Sequence, residues 1–156
     1  MADRRLAVLG AGLTAAGIIV LAIGFAFSSD LGPANFGSAP GPGSPGFVAG
    51  TTSAPRAVRI IASGDLRFYP DVVTVKQGET ITFEVTAMGM TIHEFMVGPA
   101  ADVAADRDGT PEVADIGMMT TRSLTYTFNG PGPFAFACHA PGHYEAGMKG
   151  DIVVVP

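Results

Sequence analysis

One stretch of the chain reads Phe134-Ala-Phe-Ala-Cys-His-Ala-Pro-Gly-His-Tyr-Glu-Ala-Gly-Met-Lys-Gly-Asp151. It contains the only cysteine of the 156 residues, two of the three histidines and a methionine. Large residues alternate with alanine at its start, which predicts a strand with Phe134, Phe136 and Cys138 on one face. The Pro-Gly and Ala-Gly pairs that follow predict two turns. We therefore expect His143 and Met148 to fold back over the strand end, beside the cysteine sulfur.

The side chains in this stretch favour copper over zinc. Thiolate and thioether select copper(I), imidazole suits both oxidation states, and two His with one Cys and a weak axial Met form a blue-copper electron-transfer site. Zinc would bind Cys and His but gains little from Met. By strand alternation His139 points away from Cys138, so we interpret it as a surface residue. The second ligand histidine must then be His93, which lies between two predicted strands and is the one histidine outside the stretch.

The spacing Cys-x4-His-x4-Met resembles that of cupredoxins, the small blue-copper proteins, and in particular the auracyanin and rusticyanin branches. The motif Pro-Gly-His-Tyr-x-Ala-Gly-Met-Lys-Gly also resembles that of small copper-resistance cupredoxins. The similarity covers about residues 57–156. It implies one type 1 copper per chain, with His93, Cys138 and His143 as equatorial ligands and Met148 as the axial ligand.

Glu94 follows the first of these ligands. Many electron-transfer cupredoxins have Asn at this position, where it bonds to the cysteine loop. On the strand that begins at His93, the side chain of Glu94 points to the opposite face. We therefore do not expect Glu94 to be a ligand.

The pattern of residues 56–156 predicts an all-β domain. Residues 76–79 predict a hairpin-like connection between two strands. Residues 98–122 are rich in alanine and acidic residues, and predict a short helix and a flap. The whole pattern is typical of a cupredoxin-like Greek-key β-sandwich. Period-two alternation predicts strands at residues 57–62, 72–75, 80–86, 93–97, 123–128, 134–138 and 151–155.

Residues 1–27 predict a membrane anchor. An uncharged apolar run extends from Leu6 to Phe27 and is long enough to cross a bilayer as a helix. Arg4 and Arg5 before it place the N-terminus in the cytoplasm and the rest outside. A cleaved signal peptide is the alternative, because Phe25-Ala-Phe-Ser-Ser29 offers a cleavage region. Either interpretation exports the domain to the periplasm or the cell exterior.

Residues 28–55 are rich in Gly, Pro, Ser and Ala and lack apolar periodicity. This composition predicts a disordered linker between the anchor and the domain. A tether of this kind would let the domain swing between neighbouring membrane complexes.

Net charge, cysteine content and histidine content exclude several classes of function. A net charge of −5 disfavours binding to nucleic acid. A single cysteine excludes both an internal disulfide and a binuclear copper site with two bridging thiolates. Three histidines are too few for the second copper centre of a copper enzyme. We expect a one-electron carrier with redox partner proteins at the membrane, no small-molecule substrate and no enzymatic activity. The alternative is a periplasmic protein for copper resistance or delivery.

Four further methionines allow two interpretations. Met88, Met90, Met118 and Met119 would form either an apolar rim around the metal for partner docking or a second soft site for copper(I). The resemblance favours the rim, because most cupredoxins use such an apolar surface for partner docking, and we therefore expect the rim.

Overall fold

The computed structural model describes residues 39–130 and 132–156. Within these ranges the chain forms nine strands and one short helix. The strands are β1 (Arg56–Ser63), β2 (Arg67–Tyr69), β3 (Val72–Lys76), β4 (Thr80–Met88), β5 (His93–Pro99), β6 (Glu112–Ile116), β7 (Thr121–Thr127), β8 (Phe134–Ala137) and β9 (Lys149–Val155), and the helix is α1 (Ala100–Ala104).

The strands form two sheets. The first has the order β2-β1-β4-β7 and the second has the order β3-β9-β8-β5-β6. β1 pairs with β4, and β3 with β9, in parallel, whereas the other pairs are antiparallel. The register of β1 and β4 runs from Arg56 opposite Ile81 to Ser63 opposite Met88. This all-β, two-sheet architecture confirms the β-sandwich predicted for residues 56–156.

A cluster of phenylalanine rings joins the two sheets. Phe83 of the first sheet contacts Phe95 and Phe136 of the second, with ring centroids 5.1 and 6.5 Å apart. Such aromatic pairs add about 0.5–1.5 kcal/mol beyond the burial of their area. Phe95 and Phe136 lie two residues from His93 and Cys138 on the same strand faces. The core therefore fixes the backbone that carries two of the predicted ligands.

The predicted hairpin at residues 76–79 is wrong. β3 lies in the second sheet beside β9, whereas β4 lies in the first sheet between β1 and β7. The turn crosses between the sheets, with Gly78 at a φ of 79°. Glu79 thereby points inwards, where its Oε1 lies 2.7 Å from Nε of Arg56 in a buried ion pair. Turn residues indicate that the chain reverses, but not which sheet the next strand joins.

Residues 39–55 contact the domain, although their composition predicted a flexible linker. We call them the N-terminal strap. The N–H of Gly50 donates to Oε1 of Glu79 at 3.0 Å, and the carbonyl of Gly50 accepts from Thr80 at 3.0 Å. A Cβ at Gly50 would lie 2.0 Å from the Thr80 carbonyl oxygen, so only glycine fits here. The folded part of the chain therefore begins before β1.

The predicted anchor, residues 1–27, and residues 28–38 of the predicted linker lie outside the described residues. Within the two described ranges, no helix combines the length and the apolar character needed to cross a bilayer. Membrane tethering therefore stays a prediction.

The segment 98–122 contains the predicted short helix, which is α1, and a strand that the sequence did not reveal, β6. α1 covers the outer face of the second sheet, where Val103 packs against Met96 and Ala137. In β6 only Ile116 is buried. Because β6 is an edge strand with one buried residue, it lacks the alternation from which strands are predicted.

Candidate metal centre

Three parts of the second sheet carry the predicted ligands. His93 is the first residue of β5, Cys138 directly follows β8, and His143 and Met148 lie between β8 and β9. β5 and β8 are antiparallel neighbours, so the start of β5 lies beside the end of β8. The N–H of Glu94 accordingly reaches Sγ of Cys138 at 3.4 Å.

Backbone hydrogen bonds fold the loop after Cys138 back on itself. The N–H of Cys138 donates to the carbonyl of Met148 at 3.1 Å, and the N–H of Met148 donates to that of His143 at 2.9 Å. Gly142 and Gly147 have φ values of 80° and 96°, which glycine adopts without strain. The two predicted turns are confirmed, and they bring both loop ligands to the end of β8.

The side chains of His93, Cys138 and His143 converge in the interior. One donor atom of each lies within 4.8 Å of the other two. Sγ of Cys138 lies 3.2 Å from Nδ1 of His143, and the two imidazole centroids are 5.0 Å apart. The exposed fractions are 1% for His93, 0% for Cys138, 8% for His143 and 0% for Met148. The four predicted ligands are therefore buried at one end of the second sheet.

One nitrogen in this cluster shows that the residues fit a metal. Among the described residues, one buried side-chain nitrogen or oxygen has no hydrogen-bond partner, and this atom is Nδ1 of His93. Nε2 of the same ring lies 3.0 Å from Oγ1 of Thr91. With its proton on Nε2, the ring donates to Thr91, and Nδ1 keeps its lone pair for a metal. A thiol, two imidazoles and a thioether are the donors that copper prefers.

Burial sets the protonation of two ligands before any metal binds. Burial, with a smaller contribution from His143, lowers the pKa of His93, so this imidazole is neutral and able to bind a metal at neutral pH. Burial also raises the pKa of the Cys138 thiol. Metal binding must therefore release the thiol proton.

Glu94 joins the two strands that carry His93 and Cys138. In addition to the bond from its N–H to the sulfur, its Oε1 accepts a hydrogen bond from the N–H of His139. A carboxylate serves here because the contact needs only an acceptor. The departure from asparagine thus keeps a side-chain contact with the cysteine loop, and Glu94 lies outside the cluster of His93, Cys138 and His143.

His139 lies outside the centre, as strand alternation predicted, but it is half-buried rather than a surface residue. Its ring stacks on Tyr144 with centroids 4.6 Å apart and an interplanar angle of 15°. Its Nε2 lies 2.8 Å from the carbonyl oxygen of Val103 in α1. His139 therefore ties the cysteine loop to the helix.

Arg67 is a contact of the ligand loop that the sequence did not reveal. Its Nη1 donates to the carbonyl of Ala146 at 2.6 Å and to that of Leu66 at 2.8 Å. Ala146 lies between His143 and Met148, so this bond links the loop to the first sheet. An exposed arginine on a short strand carries no local signal for such a contact, because its partner is far along the chain.

Known proteins are similar to this chain in sequence and in fold. The chain matches the plastocyanin/azurin family of copper binding proteins over residues 57–155. It is 34% identical to the copper-resistant cuproprotein CopI of Rubrivivax gelatinosus, with 72% of each protein covered. It is 30% identical to CopI of Pseudomonas aeruginosa, over 92% of this chain and 97% of that protein. The reduced auracyanin of Roseiflexus castenholzii is 26% identical, with 64% of this chain and 97% of that one covered and a TM-score of 0.54.

The family match and the site agree. The match covers the strands and loops that carry all four predicted ligands. The cofactor is copper, and His93, Cys138, His143 and Met148 are arranged as a type 1 copper site. The chain therefore belongs to the plastocyanin/azurin family of copper binding proteins.

Proposed function

We propose that this chain is a one-electron carrier. The observation that best supports this is the buried cluster of His93, Cys138 and His143, in which one donor atom of each residue lies within 4.8 Å of the other two. Ligands held by a packed sandwich move little when the charge of the site changes, which favours rapid electron transfer. When bound, copper would supply the one-electron couple between Cu(I) and Cu(II).

In this proposal the four ligands have different roles. His93, Cys138 and His143 would be the equatorial ligands, and Met148 the weak axial ligand that tunes the potential. The N–H of Glu94 would stabilise the negative charge of the Cys138 thiolate. The phenylalanine cluster beneath keeps water away from the sulfur.

His143 is the most exposed of the four ligands. We assign its outer ring edge as the port through which electrons pass to and from a partner. The neighbouring Pro141 and Gly142 are exposed and uncharged, so a partner can approach closely. The expected partners are redox proteins in or at the membrane.

The proposal includes export and tethering of the domain. Residues 1–27 would act as a single membrane-spanning anchor with a cytoplasmic N-terminus, which leaves the copper domain in the periplasm or outside the cell. If this segment is cleaved, the domain is secreted instead. We assign no enzymatic activity, because three histidines are too few for a second copper centre.

A role in copper resistance or delivery is the second candidate. Similarity to two copper-resistant cuproproteins favours it, one of which matches over 92% of this chain and 97% of its own length. Such a role predicts transfer of copper to an acceptor and expression that rises under copper stress. An electron carrier should instead hold its metal tightly while it cycles.

The first test is the visible spectrum and copper content of the full-length chain, oxidised and then reduced, beside Cys138→Ser. We expect a strong thiolate-to-copper band, one copper per chain, reversible bleaching, and loss of the band in the variant. A colourless protein that binds copper(I) without cycling would contradict the electron carrier. Copper loss to a competing chelator, and the copper tolerance of a deletion strain, then separate the two candidates.

A further inference from the structure

Four exposed methionines lie near the metal centre. Met88 ends β4 and Met90 follows it, whereas Met118 and Met119 connect β6 to β7. Their exposed fractions are 40, 93, 60 and 68%, respectively. Among the described residues, eight large hydrophobic side chains are exposed, and five of these lie in residues 88–92 and 117–120, which we call the methionine loops. Four of those five are methionine, so the exposed apolar surface is concentrated and is mostly thioether.

The two methionine loops are neighbours. The N–H of Ala87 donates to the carbonyl of Thr120 at 3.0 Å, and the carbonyl of Ala87 accepts from the N–H of Met119 at 2.9 Å. These bonds continue the β4–β7 ladder beyond its last pair and place Met88 beside Met119. Methionine has three rotatable bonds in its side chain, so thioethers on adjoining loops can meet around one small ion.

Both loops adjoin the ligand His93. Ile116, directly before one loop, is the β6 partner of His93. Thr91, in the other loop, contacts Nε2 of His93 at 3.0 Å. Residues in or next to both methionine loops therefore contact the histidine whose Nδ1 is buried without a partner.

One of the two loops holds a residue other than glycine in the left-handed backbone conformation. The N–H of Thr120 donates to the carbonyl of Gly117 at 3.0 Å, which closes a turn with Met118 and Met119 at its tip. Met119 has a φ of 57°. That conformation favours glycine or asparagine, and a long side chain held there is a reason to look for a function. Here the strained residue displays a thioether to solvent.

The composition of the loops selects a class of ligand. Residues 86–92 and 116–121 contain no charged side chain. Neutral thioethers bind soft monovalent ions such as copper(I) and silver(I), and bind hard divalent ions poorly. Leucine or valine would serve equally well for an apolar docking surface, whereas only methionine supplies sulfur donors. We propose that the methionine loops bind copper(I) at the surface, in a site separate from the buried centre.

The test uses the full-length chain with reduced copper in the buried centre and ¹³C-labelled methionine methyl groups. Silver(I) serves as a diamagnetic probe for copper(I). We expect it to shift the methyl signals of Met88, Met90, Met118 and Met119, and to leave that of the buried Met96 unchanged. Because thioethers do not titrate, binding should be the same at pH 5 and pH 8, to within about twofold.

The matched control is a variant with all four exposed methionines changed to leucine. Its silver(I) affinity should fall at least tenfold, while its visible band returns fully on reoxidation, which shows that the fold and the buried centre are intact. Equal silver(I) affinity in the two proteins would overturn the proposal and leave the loops as an apolar rim. Failure of the visible band to return on reoxidation after silver(I) treatment, in both proteins, would also overturn it, because the ion would then have replaced copper in the buried centre. The proposal requires no particular function of that centre.

Discussion

The domain buries two polar clusters at opposite ends of the sandwich, and their hydrogen bonding differs. At one end, the carboxylate of Glu79 accepts bonds from the side chain of Arg56 and from the backbone of Gly50 and Lys76. At the other end, Nδ1 of His93 is buried without a partner. In the first cluster the protein itself supplies the hydrogen-bond partners of the buried carboxylate. In the second, only a bound metal would supply a partner for Nδ1 of His93.

The difference separates stability from function. A buried polar group without a partner costs about 1–3 kcal/mol. Removing one partner of a buried ion pair costs about 3–5 kcal/mol, because it leaves the other charge buried and unpaired. We therefore expect substitutions at Glu79 to change the free energy of unfolding and to spare the metal site. Substitutions at His93 should do the reverse.

The largest expected effect on stability is that of Glu79→Ala. It leaves the guanidinium of Arg56 buried and unpaired, so the free energy of unfolding should fall by about 3–5 kcal/mol. Denaturant unfolding of the copper-free protein measures this. The control is Glu84→Ala, which breaks the exposed pair of Glu84 with Arg59 and should cost less than about 1 kcal/mol. Equal losses in the two variants would contradict the distinction between the clusters.

The second-largest effect expected is the loss of stability on acidification, through the cluster around Glu79. Burial alone would raise the pKa of Glu79, but hydrogen bonds from Arg56, Gly50 and Lys76 outweigh it and hold the pKa below its ordinary value of 4.5. The folded state thus binds this proton more weakly than the unfolded state does. The stabilisation is fully present above pH 4.5 and is lost as the pH falls through the lower folded-state pKa.

Urea midpoints of the copper-free protein between about pH 3 and pH 6 test this dependence. Glu79→Gln should show a shallower loss of stability on acidification than the wild type. Identical pH profiles would mean that other carboxylates control acid unfolding.

A smaller effect, of opposite sign, is expected for His93→Leu. The change removes the unpartnered nitrogen and fills its space with an apolar side chain, so the copper-free protein should keep its stability or gain about 1 kcal/mol. Copper binding and the visible band should be lost. Calorimetry of the copper-free protein and metal analysis check the two halves separately, and a destabilisation above about 2 kcal/mol would show that the histidine is structural.

The smallest expected effect is that of Arg67→Gln. The side chain is exposed, so the free energy of unfolding should change by less than about 1 kcal/mol. Removing a cation that contacts the ligand loop favours the more positive oxidised state, so the reduction potential should fall. Arg59→Gln, on the same sheet but away from the ligand loop, is the control for potentiometry. Equal potentials in the two variants would limit Arg67 to a structural contact.

The sequence predicted the parts of the site that local spacing determines. Cys138, His143 and Met148 lie in one loop, where a strand pattern and two turns fix their relation. His93 followed by elimination, because the chain has only three histidines. The all-β class followed from period-two alternation, which the core confirms.

Three features that the sequence did not predict depend on partners far along the chain. The turn at residues 76–79 looks the same locally whether the next strand pairs beside it or crosses to the other sheet. The strap contacts Glu79 through the backbone of Gly50, which leaves no side-chain pattern to read. The contact of Arg67 with Ala146 likewise joins elements separated by most of the domain.

The N-terminal strap also determines where mechanical load would reach the domain. It joins β1 at Arg56, and the parallel register with β4 puts Ser63 and Met88 at the far end, roughly 23 Å away at about 3.3 Å per residue. Tension that enters at Arg56 and is directed along β1 would shear its ladders with β2 and β4, rather than peel them apart one bond at a time. The ligand loops lie at the other end, beyond Met88. The geometry of the metal site would therefore stay unchanged until the sandwich itself unfolds.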